Sequence, residues 1–405
     1  MITKQIKRLI LLEQHRQENS INLIASENYM SLDYSKLETS ILSTKYAEGY
    51  PSKRYYAGCK YIDLIENIAI KTCKKLFNVK YVNVQPHSGS QANQAVYMAL
   101  CSVYDTILGL NLKHGGHLTH GYSSNFSGHF YHAVGYNLNN NYYIDYDDIE
   151  KQVHDIKPKL IIGGASAYSR VINWKILKNI AKKYNAFLLA DISHTAGLIA
   201  TNIYPSPVAY ADLITLTLHK TLRGPRGAVI LTNNKNLASL VNKAVFPGIQ
   251  GGPFMNVITA KSLCFKKAML NDFHQYQKQV IKNAKDLSYF LQTYGFDIVS
   301  NGTDSHMFLI NLTNLNLTGI ESERKLEKAN IILNKNTLPN DLTSSNVCGG
   351  VRIGTAAVTT RGFGKNEMVL IADWIYCILK KKNNVYKIKK DVINLCKKFP
   401  INKKL

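Results

Sequence analysis

Short apolar runs alternate with helical segments between residues 61 and 233, and this alternation limits the fold more than any other feature of the sequence. Runs rich in Val, Ile and Leu predict strands at residues 81–85, 159–164, 186–191, 212–218 and 228–233. The segments between them predict helices, notably at residues 61–77, 91–101 and 174–184. Strands that alternate with helices form a mostly parallel sheet covered on both faces. Ligands of such sheets bind at the carboxyl ends of the strands.

The helix predicted at residues 61–77 is amphipathic. Apolar residues recur there at intervals of three and four, which is the spacing of one face of an α-helix. We expect these side chains to form its buried face: Ile62, Ile65, Ile68, Ala69, Cys73, Leu76 and Phe77.

The pattern changes after residue 270. The sequence there predicts a long helix (271–294), a strand pair (296–312), and a second α+β unit that contains residues 351–357 and a closing helix (365–380). We therefore expect an N-terminal arm (1–50), a large domain (51–270) and a small α+β domain (271–405). The lysine-rich end of the chain, residues 385–405, is expected to be a poorly packed basic tail.

Composition narrows the class of protein. Seven cysteines without a C-x-x-C pair favour reduced thiols over a disulfide framework or a zinc site. No apolar run reaches membrane-spanning length, and the first 18 residues are too charged for a secretory signal. We expect a cytoplasmic protein. The net charge of +23 is scattered or lies in the tail, and it follows no base-reading pattern, so specific nucleic-acid binding is not expected.

Polar side chains follow two of the predicted strands, where a buried sheet would have none. Asp191 ends one strand, His194 follows three residues later, and Lys220 comes just after the strand at 212–218. Each residue alone could be a helix cap or a lysine that extends to solvent. Together they indicate a site at the carboxyl edge of the sheet.

A third segment, Ser88, Gly89 and Ser90, lies between a predicted strand and a predicted helix. Its hydroxyls and backbone N–H groups can hold a phosphate against the positive end of the helix. The segment matches neither a Walker A loop nor G-x-G-x-x-G, which disfavours a nucleotide. A phosphate site, a lysine and a carboxylate match pyridoxal phosphate. Lys220 would form its Schiff base, and Asp191 would pair with its pyridinium nitrogen.

Several long strings of the sequence indicate a family. They are NLIASENY (22–29), KYAEGYPSKRYYAGC (45–59), VQPHSGSQAN (84–93), HGGHLTHG (114–121), SAYS (166–169), TLTLHKTLRGPRG (215–227), FPGIQGGP (246–253), NKNTLPND (334–341) and VRIGTAAVTTRG (351–362). Together they resemble the serine hydroxymethyltransferase family, and the resemblance runs over nearly the whole chain.

The resemblance implies a fold-type I pyridoxal-phosphate enzyme. Its large domain would hold a mostly parallel sheet, accompanied by a smaller C-terminal α+β domain and an N-terminal arm. The implied reaction is the reversible conversion of serine and tetrahydrofolate to glycine and 5,10-methylenetetrahydrofolate. Pyridoxal 5'-phosphate would be the cofactor and tetrahydrofolate the cosubstrate. The resemblance also implies a homodimer with active sites shared between subunits.

The resemblance further implies roles for individual residues. The implied catalytic residues are Lys220, Glu48, Tyr56 and His219. The implied cofactor contacts are Lys220, Asp191, His117, His194, Ser88, Gly89, Ser90, Ser166, Thr217, Tyr46 and Gly252. The implied substrate contacts are Ser26, Arg352, Tyr56 and His194. The implied folate contacts are Leu112, Gly116, His117, Leu118, Tyr55, Glu48, Asn336, Thr343, Ser344 and Ser345.

The resemblance also implies how His117 contacts the cofactor and which residues the partner chain contributes. His117 would stack on the cofactor ring. The residues that would come from the partner chain are Glu48, Tyr56, Tyr46 and Gly252.

Three alternatives remain open from the residues alone. The histidines of 114–121, with His129 and His132, could bind a metal, but Gly-Gly breaks helical ligand spacing and no carboxylate is near, so no metal is expected. A folate-independent β-hydroxy amino acid aldolase would use the same groups without a one-carbon acceptor. A nucleic-acid-binding protein is supported only by the charge.

Overall fold

The computed structural model describes residues 2–341, 343–381 and 384–401 in two compact units. The large unit is Met30–Gln277, and the terminal unit combines Met1–Tyr29 with Lys278–Leu405. The first 29 residues thus belong with the C-terminal part of the chain, a grouping that our division along the sequence does not contain. Leu342 of the implied folate segment and the last four residues of the basic tail lie outside the described residues.

The elements are numbered in chain order. The helices are α1 (Ile2–Glu18), α2 (Leu32–Glu38), α3 (Lys60–Phe77), α4 (Gly89–Leu100), α5 (Phe126–Phe130), α6 (Tyr146–Ile156), α7 (Trp174–Lys183), α8 (Ala196–Ala200), α9 (Lys235–Lys243), α10 (Met255–Ala268), α11 (Asn271–Thr293), α12 (Gly319–Lys328), α13 (Ala356–Thr360), α14 (Lys365–Leu379) and α15 (Val385–Lys398). The strands are β1 (Ile21–Asn22), β2 (Gly49–Tyr50), β3 (Lys53–Arg54), β4 (Tyr81–Asn83), β5 (Thr106–Leu110), β6 (His132–Tyr136), β7 (Leu160–Gly164), β8 (Phe187–Asp191), β9 (Leu213–Thr217), β10 (Ala228–Thr232), β11 (Asp297–Ile298), β12 (Met307–Asn311), β13 (Ile331–Ile332), β14 (Asn334–Asn336) and β15 (Gly350–Gly354).

A seven-stranded sheet forms the centre of the large unit, in the order β4-β10-β9-β8-β7-β5-β6. Only β10 runs antiparallel to its neighbours within this sheet. Strands β7 to β10 are buried along nearly their whole length, because helices cover both faces. The predicted mostly parallel sheet is confirmed. The sequence analysis predicts neither β5 nor β6; β6 is a half-exposed edge strand without a continuous apolar run, whereas β5 is largely buried.

Helix α3 departs from its predicted burial pattern. Ile62, Ala69 and Cys73 are buried as expected, but Ile68 is 44% exposed, so its placement on the buried face is wrong. Ile68 instead shares an outward stripe with Tyr61 and Leu64, which are also exposed. The helix therefore has two apolar faces, and a spacing of three and four residues does not distinguish which of them meets the core.

The terminal unit is built on an antiparallel sheet in the order β11-β12-β15-β14. The strand pair predicted at 296–312 is present as β11 and β12. Residues 351–357, expected in an α+β unit, contain the end of β15 at Gly354 and the start of α13 at Ala356. The N-terminal segment joins this unit through parallel pairing of β1 with β13.

The expectation of a poorly packed basic tail is wrong for the described residues 385–401. Helix α15 (Val385–Lys398) buries Ile388, Val392 and Leu395 in the core of the terminal unit. The Arg361 guanidinium, 2% exposed, donates to the carbonyls of Cys396 and Phe399 at the end of the helix. The lysines occupy the outer face, so their number conceals an amphipathic helix.

We predict that removing residues 385–405 strongly destabilises the terminal unit. Burying one apolar side chain of this size stabilises a fold by roughly 1.5–3 kcal/mol, so three of them contribute about 4.5–9 kcal/mol at most. Chemical unfolding followed by circular dichroism measures the loss. The matched control is Lys387→Ala with Lys390→Ala on the exposed face, for which we expect a change below about 0.5 kcal/mol. Equal stability of the truncated and full chains would contradict the packing argument.

Candidate active site

The parallel strands end at one edge of the large unit's sheet, and the predicted site residues follow them there. The register pairs Gly164 with Asp191 and Asp191 with Thr215, so β7, β8 and β9 end side by side. At or just past these three strand ends the chain carries Ser166, His194, Thr217, His219 and Lys220. Strands β4 and β5 run in the same direction and lead into residues 88–90 and 112–118.

Asp191 is a buried carboxylate surrounded by donors. Its Oδ2 accepts hydrogen bonds from Asn93 Nδ2 at 2.9 Å and His120 Nε2 at 3.1 Å. Its Oδ1 accepts from the backbone N–H and the hydroxyl of Ser193, at 3.0 and 2.6 Å. Burial favours the neutral acid, but the hydrogen bonds and the nearby His120 and His117 hold the pKa of Asp191 well below its usual range. The carboxylate is therefore ionised and suited to a cationic partner.

His120 and Asn93 are site residues that the sequence analysis did not single out. His120 Nδ1 accepts the backbone N–H of His117 at 3.3 Å, so the ring proton resides on Nε2, which faces Asp191. The Asn93 amide oxygen accepts the Thr215 hydroxyl at 2.6 Å, which fixes its NH₂ group toward the carboxylate. Both residues lie inside strings that carry the family resemblance, and these strings are the sequence signal that could have identified them as site residues.

A chain of hydrogen bonds also fixes the ring of His117. Asn93 Nδ2 donates to Thr119 Oγ1 at 2.8 Å, and Thr119 Oγ1 lies 2.7 Å from His117 Nδ1. The Thr119 backbone N–H donates to the same nitrogen at 3.2 Å. His117 Nδ1 is therefore an acceptor, and the ring carries its proton on Nε2. The ring and the Asp191 carboxylate are thus oriented by one shared amide.

The segment 88–90 begins helix α4. Ser88 is the N-cap, and its hydroxyl accepts from the Gln91 backbone N–H at 3.3 Å. A Cβ at Gly89 would lie 2.7 Å from Thr217 Cγ2, so glycine lets the helix begin close to the end of β9. The first N–H groups of a helix lack partners within it and carry its positive end. This geometry suits a phosphate group.

Lys220 lies on the connection between β9 and β10 and is 8% exposed. Its neighbour Thr221 holds the connection in place. The Thr221 hydroxyl donates to the His194 carbonyl at 2.8 Å, and the Thr221 carbonyl accepts from Gln277 Nε2 at 2.6 Å. The lysine is therefore presented from a rigid turn at the carboxyl edge of the sheet.

His219 is a neutral, largely buried imidazole next to Lys220. Burial, with the charges of Lys220 and Arg226, lowers its pKa to about 3, so the ring is neutral at physiological pH. Its Nδ1 is buried and has no hydrogen-bond partner among the residues that the structure describes. Buried polar atoms normally have partners, so this nitrogen points to a group that the chain does not supply. An ionised carboxylate, a helix start, a buried lysine and this nitrogen together fit pyridoxal 5'-phosphate.

A second cluster joins residues 46–56 to Gly251 and Gly252. The rings of Tyr46 and Tyr56 meet edge to face with centroids 5.3 Å apart. A Cβ on Gly252 would lie 3.1 Å from the Tyr46 ring, and one on Gly251 would lie 2.9 Å from Glu48 Oε1. The charge of Glu48 raises the pKa of Tyr56. The implied partner-chain residues therefore form one group within a single chain.

This cluster borders an open depression of about 510 Å³, lined by Glu48, Tyr55 and residues 246–251. Tyr55 contacts Phe246, with ring centroids 5.5 Å apart. Arg54 fixes the loop of residues 46–56, because its buried guanidinium binds Glu66 and donates to the Gly49 carbonyl at 2.9 Å. These contacts hold an otherwise exposed aromatic loop in a defined conformation.

The predicted substrate residues Ser26 and Arg352 lie in the terminal unit. Arg352 Nε donates to Asn334 Oδ1 at 3.3 Å, and burial lowers its pKa to about 10, so it stays charged at neutral pH. Side chains two residues apart on a strand share a face. A Cβ at Gly354 would lie 2.4 Å from Ala25 Cα, so Arg352 projects from the face that the segment containing Ser26 covers.

The predicted folate residues are divided between the units. Leu112, Gly116 and Leu118 belong to the large unit, and Asn336 and residues 343–345 belong to the terminal unit. Asp341 organises the latter segment, since Oδ1 accepts the Thr343 hydroxyl at 2.7 Å and Oδ2 accepts the Gly349 N–H at 2.7 Å. Burial opposes ionisation, but these bonds lower the pKa of Asp341. This role of Asp341 depends on contacts with Thr343 and Gly349 and is not evident from the sequence alone.

Three further features concern metal binding, membrane crossing and the cysteines. In the part of the chain that the structure describes, no three or more His, Cys, Asp or Glu residues are grouped to hold a metal ion. Across residues 2–341, 343–381 and 384–401, no helix has the length and apolarity needed to cross a membrane. The seven cysteines are free thiols.

Comparison with known proteins decides the family. A family model described as serine hydroxymethyltransferase matches residues 1–375. The serine hydroxymethyltransferase of Legionella pneumophila (strain Lens) is 52% identical over 394 residues, covering 96% of this chain and 94% of that protein. The chain belongs to the serine hydroxymethyltransferase family. The enzyme of Buchnera aphidicola subsp. Schizaphis graminum is 54% identical with the same coverage, and that of subsp. Baizongia pistaciae is 51% identical over 98% of this chain and 97% of its own length.

Membership confirms the expected class of enzyme. Serine hydroxymethyltransferase is a fold-type I transferase that uses pyridoxal 5'-phosphate as cofactor and tetrahydrofolate as cosubstrate. It interconverts serine and glycine and thereby serves one-carbon metabolism and amino-acid biosynthesis.

We predict that His120→Phe destabilises the large unit by about 1.5–3 kcal/mol, because the Asp191 carboxylate loses a donor while it stays buried. Chemical unfolding measures the loss. A carboxyl group with a lowered folded pKa stabilises above its unfolded pKa and loses this contribution as pH falls. The deficit is therefore full at neutral pH and shrinks as acid protonates Asp191 in the variant. His120→Gln keeps a donor and is expected to recover part of the stability, and an undiminished deficit in it would contradict the hydrogen-bond explanation.

Proposed function

We propose that Lys220, Asp191, His117 and the segment 88–90 hold pyridoxal 5'-phosphate at the carboxyl edge of the large unit's sheet. One observation carries the proposal. The buried carboxylate of Asp191 is kept ionised at the end of β8, and the neighbouring strand β9 leads to the buried Lys220. The bound cofactor supplies an electron sink for the bonds at Cα of an attached amino acid. Further proposed contacts are His194, Ser166, Thr217, Tyr46 and Gly252.

Each proposed residue has a distinct task. Asp191 keeps its negative charge and so favours a proton on the pyridine nitrogen. Lys220 is the amine that bonds the aldehyde, and its rigid turn limits where the amine can reach. His219 is neutral, so Nδ1 can hydrogen-bond the phosphate without adding a charge. Thr119 fixes the His117 imidazole through hydrogen bonds to Nδ1 in the plane of the ring. The face of the imidazole is therefore available to stack on the cofactor ring.

Arg352 and Ser26 are proposed to bind the carboxylate of serine or glycine, with His194 and Tyr56 as further contacts. A guanidinium binds a carboxylate through two parallel hydrogen bonds, which fixes the amino acid as well as attracting it. The support is that Arg352 keeps its charge although it is largely buried, and that it projects from the face covered by the Ser26 segment.

We propose that the protein is a homodimer in which residues 46–56 and 251–252 of one chain complete the site of the other. Glu48 and Tyr56 would then hold and move the proton of the substrate hydroxyl. Two exposed apolar surfaces support the dimer. Helix α1 has no buried residue and exposes Ile2, Ile6, Leu9, Ile10, Leu11 and Leu12. Helix α3 adds the outward stripe of Tyr61, Leu64 and Ile68, and such surfaces mark interfaces.

Subunit mixing tests the shared site. Glu48→Gln and Lys220→Arg are each expected to be inactive, the second because guanidinium stays protonated and is a poor nucleophile. In a mixed dimer with shared sites, one site carries both lesions and the other carries neither. Half of a random mixture is mixed dimer, so activity should recover to about a quarter of wild type under two-fold symmetry.

The control is the same mixture before the subunits exchange, which should show only the sum of the parents. If each site came from one chain, every mixed dimer would carry one lesion in each site. A verified mixed-dimer population without recovery would overturn the shared site and leave the proposed cofactor contacts untouched.

We propose that Leu112, Gly116 and Leu118, with Tyr55, Asn336 and residues 343–345, contact tetrahydrofolate. Leu118 offers the sharpest test because its side chain is 47% exposed and forms no part of the core. Leu118→Ala should raise the KM for tetrahydrofolate roughly 5- to 30-fold, the equivalent of about 1–2 kcal/mol of apolar contact. The KM for serine should not change. Leu240→Ala, a similarly exposed leucine on α9, should change neither, and a shared rise in both KM values would contradict the assignment.

We also propose that the enzyme acts in the cytoplasm. The seven free cysteines support this location, since a reducing compartment keeps thiols unpaired.

A further inference from the structure

Lys261 is a completely buried lysine outside the proposed catalytic residues. It lies on α10 (Met255–Ala268) and is 1% exposed. Its Nζ donates to the carbonyl oxygens of Val84 at 2.7 Å, Ala228 at 2.9 Å and Pro86 at 3.0 Å. An ammonium group has three N–H donors, so each of them is used on one backbone carbonyl.

The three carbonyls belong to two separate segments of the site. Val84 and Pro86 lie between β4 and the Ser88 cap of α4. Ala228 begins β10 and pairs with Thr217 at the end of β9, directly before the turn that carries Lys220. Lys261 thus joins the segment that leads to the phosphate site to the hairpin that presents the lysine.

The surrounding structure accommodates the charged form of Lys261. A neutral amine has two N–H groups and a lone pair, so one carbonyl oxygen would face that lone pair. Burial lowers the pKa of Lys261 to about 7, and the nearby Glu66 and Cys73 oppose this change. A Cβ on Gly227 would lie 2.6 Å from Lys261 Cε, so glycine at this position leaves space for the lysine stem.

Pyridoxal phosphate has a rigid ring with an aldehyde and a phosphate on different substituents, so its two anchoring segments must keep a fixed separation. We propose that Lys261 is a positioning residue that sets this separation by fixing residues 84–86 against the Lys220 hairpin. The proposal rests on the assignment of residues 88–90 to the phosphate. It predicts that Lys261 contributes to binding of the cofactor's phosphate, although its three N–H donors are all used on backbone carbonyls.

The test compares two ligands that differ only in the phosphate. Full-length protein freed of cofactor is titrated with pyridoxal 5'-phosphate and, separately, with pyridoxal, and bound ligand is followed by its absorbance. Lys261→Met should raise the Kd of pyridoxal 5'-phosphate by at least about tenfold, while the Kd of pyridoxal rises less than about threefold. The preference for the phosphorylated ligand therefore falls.

Lys178→Met is the matched control. Lys178 Nζ lies 2.7 Å from Asp212 Oδ1, and Asp212 directly precedes β9. This ion pair therefore lies at the amino ends of the parallel strands, whereas the proposed site lies at their carboxyl ends. The variant makes the same change of side chain and should leave the ligand preference unchanged. If Lys261→Met does not fold, Lys261→Gln retains two donors for the three carbonyls, and its ligand preference is measured in the same way.

Ser88→Ala separates this inference from the proposed function. A lower preference for the phosphorylated ligand in both Ser88→Ala and the Lys261 variant supports the positioning role. A lower preference in Ser88→Ala alone, or an equal rise of both Kd values in the Lys261 variant, overturns that role and leaves the phosphate assignment standing. An unchanged preference in Ser88→Ala would remove the phosphate assignment, and the inference with it.

Discussion

The ionised carboxylate of Asp191 is the interaction on which the rest of the site depends. Removing a carboxylate from water is costly unless donors replace the solvent, and here an amide, an imidazole, a hydroxyl and a backbone N–H replace it. Asn93 also reaches Thr119, which fixes the ring of His117. One set of hydrogen bonds therefore fixes both the carboxylate that would pair with the cofactor's pyridine nitrogen and the imidazole that would stack on its ring.

The predictable part of the fold and site is the part that local chemistry determines. The runs around β7, β8 and β9 predict strands because a fully buried parallel strand needs apolar side chains on both faces. Asp191 and Lys220 could be identified because they occur together at the ends of such runs, although each alone could be a helix cap or a lysine that extends to solvent. The family strings supplied the remaining candidates, and membership in the family bears out the cofactor and the reaction.

The site roles and burial patterns that could not be predicted depend on contacts between residues distant in sequence. Asn93 and His120 acquire their roles only through Asp191, which is about a hundred and about seventy residues further along the chain. Ile68 fits a buried helical face by spacing, yet it points outward because α3 has a second apolar stripe. Helix α15 resembles a charged tail by composition, but its apolar positions meet a core that the N-terminal segment shares. Spacing shows that a face exists, and only the fold shows what covers it.

The arrangement of the terminal unit has a consequence for synthesis of the chain. Residues 2–29 are made before the residues that they contact, because β1 pairs with β13, and Arg361 binds the Glu18 and Ser20 carbonyls together with the Cys396 carbonyl of α15. These partners leave the ribosome after the large unit, which is one continuous stretch. Domains fold as their residues emerge, so the large unit can fold while the N-terminal segment still lacks its partners. Ile21 and Leu23, which are buried in the core of the finished terminal unit, therefore remain without these partners until residues 331–396 have been made.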